Sequence, residues 1–131
     1  MLVTATAKHI KMSPKKIRLV ALLLRGAPVL AARAQLAMST RSAARPLDVL
    51  LKSAIANAKE NYQLTPEQLT VKTVQVDDGV TAHRWMPRAF GRASPIRKRT
   101  AHIHIVLEAS EKNKASEERA GAVRKEQKRG K

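Results

Sequence analysis

Six cationic side chains are concentrated within residues 76–103, whose sequence is VDDGVTAHRWMPRAFGRASPIRKRTAHI. The six are Arg84, Arg88, Arg92, Arg97, Lys98 and Arg99. No acid lies between Asp78 and Glu108, so nothing nearby in sequence neutralises them. A guanidinium binds phosphate through two parallel hydrogen bonds and stacks on bases, and Trp85 and Phe90 add flat aromatic faces. This pattern indicates an interface for a polyanion, and nucleic acid is the first choice.

The positions of glycine and proline predict how this stretch folds. Gly91 lies midway between Pro87 and Pro95, which favours a tip there. The alternating pattern over residues 101–107 is typical of a strand, so we expect a long β-hairpin with its tip around Gly91. Each arm, of about twelve residues, would reach about 40 Å, which exceeds the radius of about 13–14 Å for a domain of this length.

Two other conformations compete with the hairpin. Arg84, Arg88 and Arg92 recur every four residues, which is a helical spacing, but the prolines and the glycine disfavour a helix. The second alternative is a disordered basic loop that binds nucleic acid loosely. An isolated two-stranded ribbon is marginal in water, and this one has no continuous apolar face to dock on its own domain. We therefore expect the surrounding partner to hold the hairpin in shape.

A second group of cations surrounds the predicted start of the first helix. Ser13 is a good N-cap, and Pro14 suits the first helical position. Lys15 and Lys16 lie in the first turn, where the helix dipole favours acids by about 0.3–1 kcal/mol. A phosphate at the helix end would make the same lysines favourable. The alternative is that the lysines are merely solvated, although the first 45 residues hold nine cations and no acid.

Several segments in and around the cationic stretch resemble the signature of one protein family. RAFGR at residues 88–92 is followed, after nine residues, by HIHIV at residues 102–106. VDDG at residues 76–79 and MPR at residues 86–88 also fit. The family is that of ribosomal protein twenty-two of the large subunit, which carries a long hairpin. The Ser-Pro, Lys and Arg pattern of residues 13–18 resembles the same family and extends the match toward the N-terminus.

The resemblance covers residues 1–107 and departs from the family pattern at two positions. His83 stands where the family usually carries Lys, Arg or an amide, and Val80 stands where Pro is common. The resemblance implies a structural constituent of the large ribosomal subunit that binds 23S-type rRNA and supports subunit assembly. It also implies that the hairpin lines the polypeptide exit tunnel, and that changes at its tip alter the response to macrolides. The implied partners are 23S rRNA, neighbouring large-subunit proteins and the nascent polypeptide.

The charge pattern and the resemblance together give the predicted site residues. The predicted rRNA-binding residues are Lys8, His9, Lys11, Ser13, Lys15, Lys16, Arg18, Arg25, Arg84, Arg88, Arg92, Arg97, Lys98 and Arg99. The predicted tunnel tip consists of Met86, Pro87, Arg88, Ala89, Phe90, Gly91 and Arg92. No catalytic residue, cofactor or metal site is predicted.

Length and composition limit the classes of protein to consider. The chain has 131 residues, with 26 Lys and Arg against 10 Asp and Glu, for a net charge of +16. Such a charge opposes compaction and calls for a polyanionic partner, with nucleic acid first and an anionic membrane surface second. The sequence has no cysteine, no signal-peptide pattern and no apolar stretch near the ~20 residues of a spanning helix. We therefore expect one cytoplasmic domain with a core of Leu, Val, Ile and Ala.

Hydrophobic periodicity predicts the elements of this domain. Strands are predicted over residues 2–8, 69–76 and 101–107, and helices over residues 14–25, 29–38 and 46–61. The predicted inward residues of the second helix are Leu30, Ala34, Ala37 and Met38, and the third helix is predicted to bury a face that ends at Tyr62. The expected fold class is α+β, with a three-stranded antiparallel sheet packed with three helices, plus a long extended β-hairpin.

The chain is predicted to divide into a domain and a tail. Residues 1–107 form the predicted rRNA-binding globular domain, which includes the extended hairpin at about 77–103. Residues 108–131 carry eight cations and five acids with few apolar side chains, and they are predicted to form a flexible charged tail. The two alternatives for it are a tail that is partly helical around residues 116–125 and one that is disordered until bound.

Other functions and sites are weaker interpretations of the same residues. The pair Asp77-Asp78 before a glycine could suggest a metal loop, and His102 and His104 share a strand face, but neither group has further ligands at suitable spacing. A DNA-binding protein would need a recognition helix with polar residues at groove spacing. A membrane-surface protein would need a basic amphipathic helix with bulky aromatics. An enzyme is least favoured, because no histidine has a nucleophile or carboxylate placed for catalysis.

Overall fold

The structure, a computed structural model, describes residues 1–109. Its strands are β1 (Leu2–Ile10), β2 (Leu69–Pro87) and β3 (Ala93–Ala109), and its helices are α1 (Pro14–Leu24), α2 (Val29–Met38) and α3 (Ala44–Tyr62). Two short 3-10 turns, Pro66–Gln68 and Ala89–Gly91, precede and follow β2. The predicted α+β fold with a three-stranded antiparallel sheet and three helices is confirmed for this part of the chain.

The sheet has the order β1-β3-β2, so the last strand lies in the middle. β3 pairs antiparallel with β1 from Leu2 opposite Glu108, and antiparallel with β2 from Leu69 opposite Ala109. β2 and β3 are much longer than β1, and they continue together as a two-stranded ribbon. The extra length of these two strands is the predicted hairpin.

One face of the sheet carries the apolar core. Ala101, Ile103, Ile105 and Leu107 of β3 alternate with less buried residues and are fully buried, as the period of two predicts. The helices supply the opposite wall through fully buried side chains that include Ile17, Val20, Leu24, Val29, Leu47, Leu51, Ala54 and Ala58. Buried polar or charged residues are absent from the described residues, so this core is held by apolar packing alone.

The start of α1 is confirmed, and the start of α3 is corrected. Ser13 occupies the N-cap of α1 and Pro14 its first position. α3 begins at Ala44, two residues before the predicted Pro46, which therefore lies inside the first turn. Proline is tolerated there because the first N–H groups of a helix have no intrahelical partner. The predicted burial of Tyr62 is wrong, since this last residue of α3 is 42% exposed.

The predicted inward face of α2 is also wrong. The helix buries Val29, Ala32 and Leu36, whereas Leu30 and Met38 are exposed. Most α2 side chains are apolar, so the sequence period does not select one face. The orientation therefore comes from contacts outside the helix, which include its packing against α3 and the bridge of Pro28 with Thr70 of β2.

The chain between α1 and α2 covers the outer edge of β2. Gly26 has φ 74°, a left-handed conformation that suits glycine after a helix. The Gly26 N–H donates to the Val71 carbonyl at 2.7 Å, and the Val71 N–H donates to the Ala27 carbonyl at 3.0 Å. These bonds satisfy edge groups that would otherwise be unpaired.

The strands end later than predicted. β1 continues to Ile10 rather than Lys8, with a bulge between Ala7 and Ile10. β3 continues to Ala109, two residues beyond the predicted domain boundary at residue 107. The rest of the predicted tail lies outside the described residues, and the division into domain and tail stays a prediction.

Candidate nucleic-acid interface

The cationic stretch forms the predicted β-hairpin. Cross-strand pairing continues from Thr81 opposite Arg99 to Pro87 opposite Ala93. The prolines do not interrupt it, because both strands are edges here and each proline can turn its missing N–H away from the ladder. At the end, the Arg88 N–H donates to the Arg92 carbonyl at 2.8 Å and closes the turn.

The tip presents a fully exposed aromatic ring in an unusual backbone conformation. Phe90 has φ 58° and ψ 34°, and Gly91 has φ 64°. The left-handed region is natural for glycine but costs an ordinary side chain about 1–2 kcal/mol. Phe90 is nevertheless 99% exposed and contributes no core contact, and Trp85 on the adjoining strand is 69% exposed. Both aromatic faces that the sequence singled out are therefore open to a partner.

Cations lie on both faces of the hairpin. Cross-strand partners share a face, so Arg97 lies with its partner His83 on one side. Lys98 lies with Ala82 on the other side, together with Arg84. All six hairpin cations are exposed, and none forms an ion pair with an acid of residues 1–109. A ribbon charged on both faces suits a partner that surrounds it.

The fold brings the two predicted groups of cations together in one groove. The groove has a volume of about 760 Å³ and lies between the start of α1 and the root of the hairpin. We call it the basic groove, and its lining residues are Lys11, Met12, Ser13, Lys16, Ser42, Ala82, Arg84, Arg97, Lys98, Arg99 and Thr100. Six of these are cations and none is an acid. Such crowding of like charge is unfavourable until an anion enters.

The start of α1 contributes its uncapped end to this groove. The first turn contains no acid, and the Ser13 side chain makes no capping hydrogen bond. Lys16 lines the groove, whereas Lys15, in the same turn, does not. The helix dipole and the Lys16 charge therefore both favour an anion at this end.

Arg18 and Arg25, two predicted rRNA-binding residues, make hydrogen bonds within the protein. Arg18 donates from Nε and Nη2 to the Val76 carbonyl, at 3.1 Å each, and from Nη2 to Asp78 Oδ1 at 2.8 Å. Arg25 donates from Nε and Nη2 to the Val74 carbonyl, at 3.3 and 2.9 Å. Arg18 of α1 and Arg25, the residue that follows α1, are thus both bonded to β2, and neither lines the groove. Their contact with RNA stays a prediction.

The histidines near the sheet end contact one another and β1. The His9 N–H donates to His102 Nδ1 at 3.1 Å, and the two rings meet edge to face with centroids 4.8 Å apart. His104 Nδ1 lies 2.7 Å from Thr6 Oγ1. Residues 1–109 contain no group of three or more potential metal ligands.

Other predicted residues lie outside the groove. Lys8 and His9 are exposed at the end of β1, and Arg88 and Arg92 are exposed at the tip. Sequence reasoning missed Met12, Ser42, Ala82 and Thr100, which complete the groove wall. Met12 and Ala82 adjoin predicted cations and could have been included by proximity. Ser42 and Thr100 carry no sequence signal, because only the folded arrangement places them there.

The class of protein that this fold and this site define is a small α+β domain with a long basic hairpin and a cation-lined groove. Residues 5–108 match the model of the family described as "Ribosomal protein L22p/L17e". The chain is 50% identical over 111 residues to large ribosomal subunit protein uL22 of Myxococcus xanthus, covering 83% of this chain and 97% of that protein. It is 49% identical over 107 residues to the uL22 of Rubrobacter xylanophilus, covering 82% and 84%.

The chain therefore belongs to the ribosomal protein L22p/L17e family. The predicted resemblance, the predicted place in the large ribosomal subunit and the assignment as a structural protein rather than an enzyme are confirmed. In addition, no helix among residues 1–109 is long and apolar enough to cross a membrane.

Proposed function

We propose that the chain binds 23S-type rRNA through the basic groove and both faces of the hairpin, and thereby supports assembly of the large subunit. The observation that carries this proposal is the juxtaposition of Lys11 and Lys16 with the hairpin cations around a concavity without an acid. A folded RNA supplies closely spaced phosphates that can neutralise such a surface. Guanidinium groups then add directed, two-pronged hydrogen bonds.

The proposed role of the tip is to line the polypeptide exit tunnel, next to the nascent polypeptide. Phe90 is fully exposed in a left-handed backbone conformation, which indicates that its position serves something other than the fold. The ribbon, about 40 Å long, carries this ring well away from the core. Neighbouring large-subunit proteins are proposed as further partners of the base.

The salt dependence of RNA binding tests the groove. We expect the triple variant Arg84→Ala, Arg97→Ala and Arg99→Ala to bind 23S-type rRNA more weakly and with a flatter dependence on salt. Each lost phosphate contact lowers the slope of log K against log salt by about 0.7, so three contacts lower it by about 2. The measurement is a filter-binding titration of the full chain at several salt concentrations.

A matched control removes the same charge elsewhere on the base. Arg33→Ala, Arg45→Ala and Lys59→Ala change exposed cations of α2 and α3 that do not line the groove. This control should keep most of the wild-type slope. Equal flattening in both triples would reject the groove as the site. Equal affinity of the wild type for duplex DNA or anionic vesicles would instead support the rival DNA-binding or membrane-surface functions.

A further inference from the structure

The three-stranded sheet becomes a two-stranded ribbon at one level of β3. Ala101 is the residue where this happens, since it pairs with Ile10 of β1 and with Asp78 of β2. Both flanking strands are irregular next to it, between Ala7 and Ile10 and between Asp78 and Thr81. Bulges bend a strand and increase its twist, so the direction of the hairpin is decided at this level.

Arg18 ties α1 to β2 immediately before its bulge. Its guanidinium bonds the Val76 carbonyl through two nitrogens and Asp78 through one, so it is held at three points. A planar guanidinium held in this way fixes an angle as well as a distance. Arg18 therefore links the helix that forms one wall of the basic groove to the strand that leads into the other wall.

Close packing fixes the bulge itself. Gly79 approaches Thr100 so closely that an added Cβ would lie 2.5 Å from its Oγ1 and 3.2 Å from its backbone carbonyl carbon and oxygen. The Thr100 hydroxyl in turn donates to the Val80 carbonyl at 2.6 Å. The bulge thus has a specific hydrogen bond across the two strands and no room for a side chain at residue 79.

We infer that Arg18, Asp78, Gly79 and Thr100 form a joint that fixes the direction in which the hairpin leaves the domain. These are positioning residues, which act by holding the hairpin wall of the basic groove opposite Lys11 and Lys16. The consequence for RNA binding rests on the proposed function, but the joint itself does not. A small rotation at the joint causes a large displacement of the tip, because a rotation of about 10° moves the end of a ribbon about 40 Å long by about 7 Å.

Electron-spin distance measurements on the full chain test the joint directly. The sequence has no cysteine, so Ala56→Cys on α3 and Ala93→Cys near the tip can carry the two labels. We expect Asp78→Ala to shift or broaden the distance distribution, because Arg18 loses one of its anchors. The melting temperature should change little, since exposed ion pairs contribute little to stability. A second label at His83→Cys, near the joint, separates rotation at the joint from bending along the ribbon.

The neighbouring acid provides a matched control. Asp77→Ala removes the same charge one residue away, and Asp77 has no ion pair or side-chain hydrogen bond within residues 1–109. This variant should keep the wild-type distances. Thr100→Val, which removes only the hydroxyl bond to Val80, should alter them in the same way as Asp78→Ala, and Asp78→Glu should restore them. Unchanged distances in both Asp78→Ala and Thr100→Val would overturn the inference.

Affinity for 23S-type rRNA is a second measurement, because the loss of an acidic charge and the loss of hairpin alignment should change it in opposite directions. Removing an acid from a cationic surface strengthens RNA binding by electrostatics alone, so Asp77→Ala should bind slightly more tightly than wild type. Asp78→Ala should bind more weakly, because the groove walls are no longer aligned. If Asp78→Ala alters the distances but binds RNA as tightly as Asp77→Ala, the joint is supported. The same result would count against the groove as the RNA site.

Discussion

At the scale of single residues, Lys15 and Lys16 separate the contribution of the helix dipole from that of the groove. Both lie in the first turn of α1, where a positive charge is unfavourable. Only Lys16 lines the basic groove. The same substitution changes the charge in the same helix turn at both positions, but it changes the charge of the groove only at Lys16.

We predict that Lys15→Glu and Lys16→Glu each stabilise the free protein, by about 1 kcal/mol at most, because an acid replaces a base at the helix N-terminus. Lys16→Glu should weaken binding to 23S-type rRNA more than Lys15→Glu. Thermal unfolding and RNA titration of the two single variants check both parts. Equal RNA affinity of wild type and Lys16→Glu would leave only the solvated interpretation of this lysine.

At Lys59 the same change of charge should alter the stability in the opposite direction. It lies in the last turn of α3, where the dipole favours a cation, and it does not line the groove. Lys59→Glu should therefore destabilise the protein slightly and leave RNA binding closer to wild type. Stabilisation by Lys59→Glu would show that net charge, rather than the dipole, governs these effects.

At the scale of elements, periodicity predicted a helix or strand wherever one face meets the core and the other meets water. Residues 101–107 alternate and were placed correctly, as was the inward face of α1 from Ile17 to Leu24. The same reasoning predicted the bounds of α2 but not its buried face, because apolar side chains surround this helix. There, contacts with the rest of the fold select the buried face, among them those with α3 and the Pro28 bridge to Thr70, and no local pattern encodes them.

Two leucines of α2 test the corrected orientation. Leu36 is 4% exposed and Leu30 is 50% exposed. We predict that Leu36→Ala lowers the free energy of unfolding by about 2–5 kcal/mol, as is typical of a buried leucine. Leu30→Ala should cost less than about 1 kcal/mol, because its side chain loses little burial. Denaturant unfolding measures both free energies. A larger loss of stability for Leu30→Ala than for Leu36→Ala would favour the inward face predicted from the sequence.

At the scale of the whole molecule, the sequence predicted the two cationic groups but not the groove they form. Lys11 and Lys16 were identified from charge and helix position, and Arg84 and Arg97 from the hairpin pattern. Their meeting depends on the angle at which the hairpin leaves the sheet, which is set by Arg18, Gly79 and Thr100. These contacts join residues far apart in the chain, so no periodic or local signal reports them.

The hairpin can be shortened without changing which side chains face which way. Deleting two cross-strand pairs, Met86 with Ser94 and Pro87 with Ala93, removes two residues from each strand and preserves the alternation. The tip then retracts by about 7 Å. We predict that this variant folds, joins the large subunit and alters a property of the exit tunnel, such as the response to a tunnel-binding drug.

The matched control keeps the length and changes the side chains. Met86→Ala with Ser94→Ala should behave more like wild type in the tunnel assay than the shortened hairpin does. Circular dichroism of the free proteins checks that the base is folded in each case. Loss of the folded base on shortening would contradict the architecture. Normal drug response of ribosomes that contain the shortened chain would remove the proposed role of the tip.

The position of β3 at the centre of the sheet has a consequence for the order of events during synthesis of this chain. β1 is made first, yet its partner is β3, with Leu2 opposite Glu108. The sheet therefore cannot close while translation is still upstream of β3, and pairings so distant in sequence are slow to form. Until then, the apolar faces of α1 and α3 have no sheet to cover them. A chain in which β3 has been made is therefore the first species that can offer a finished surface to its partner.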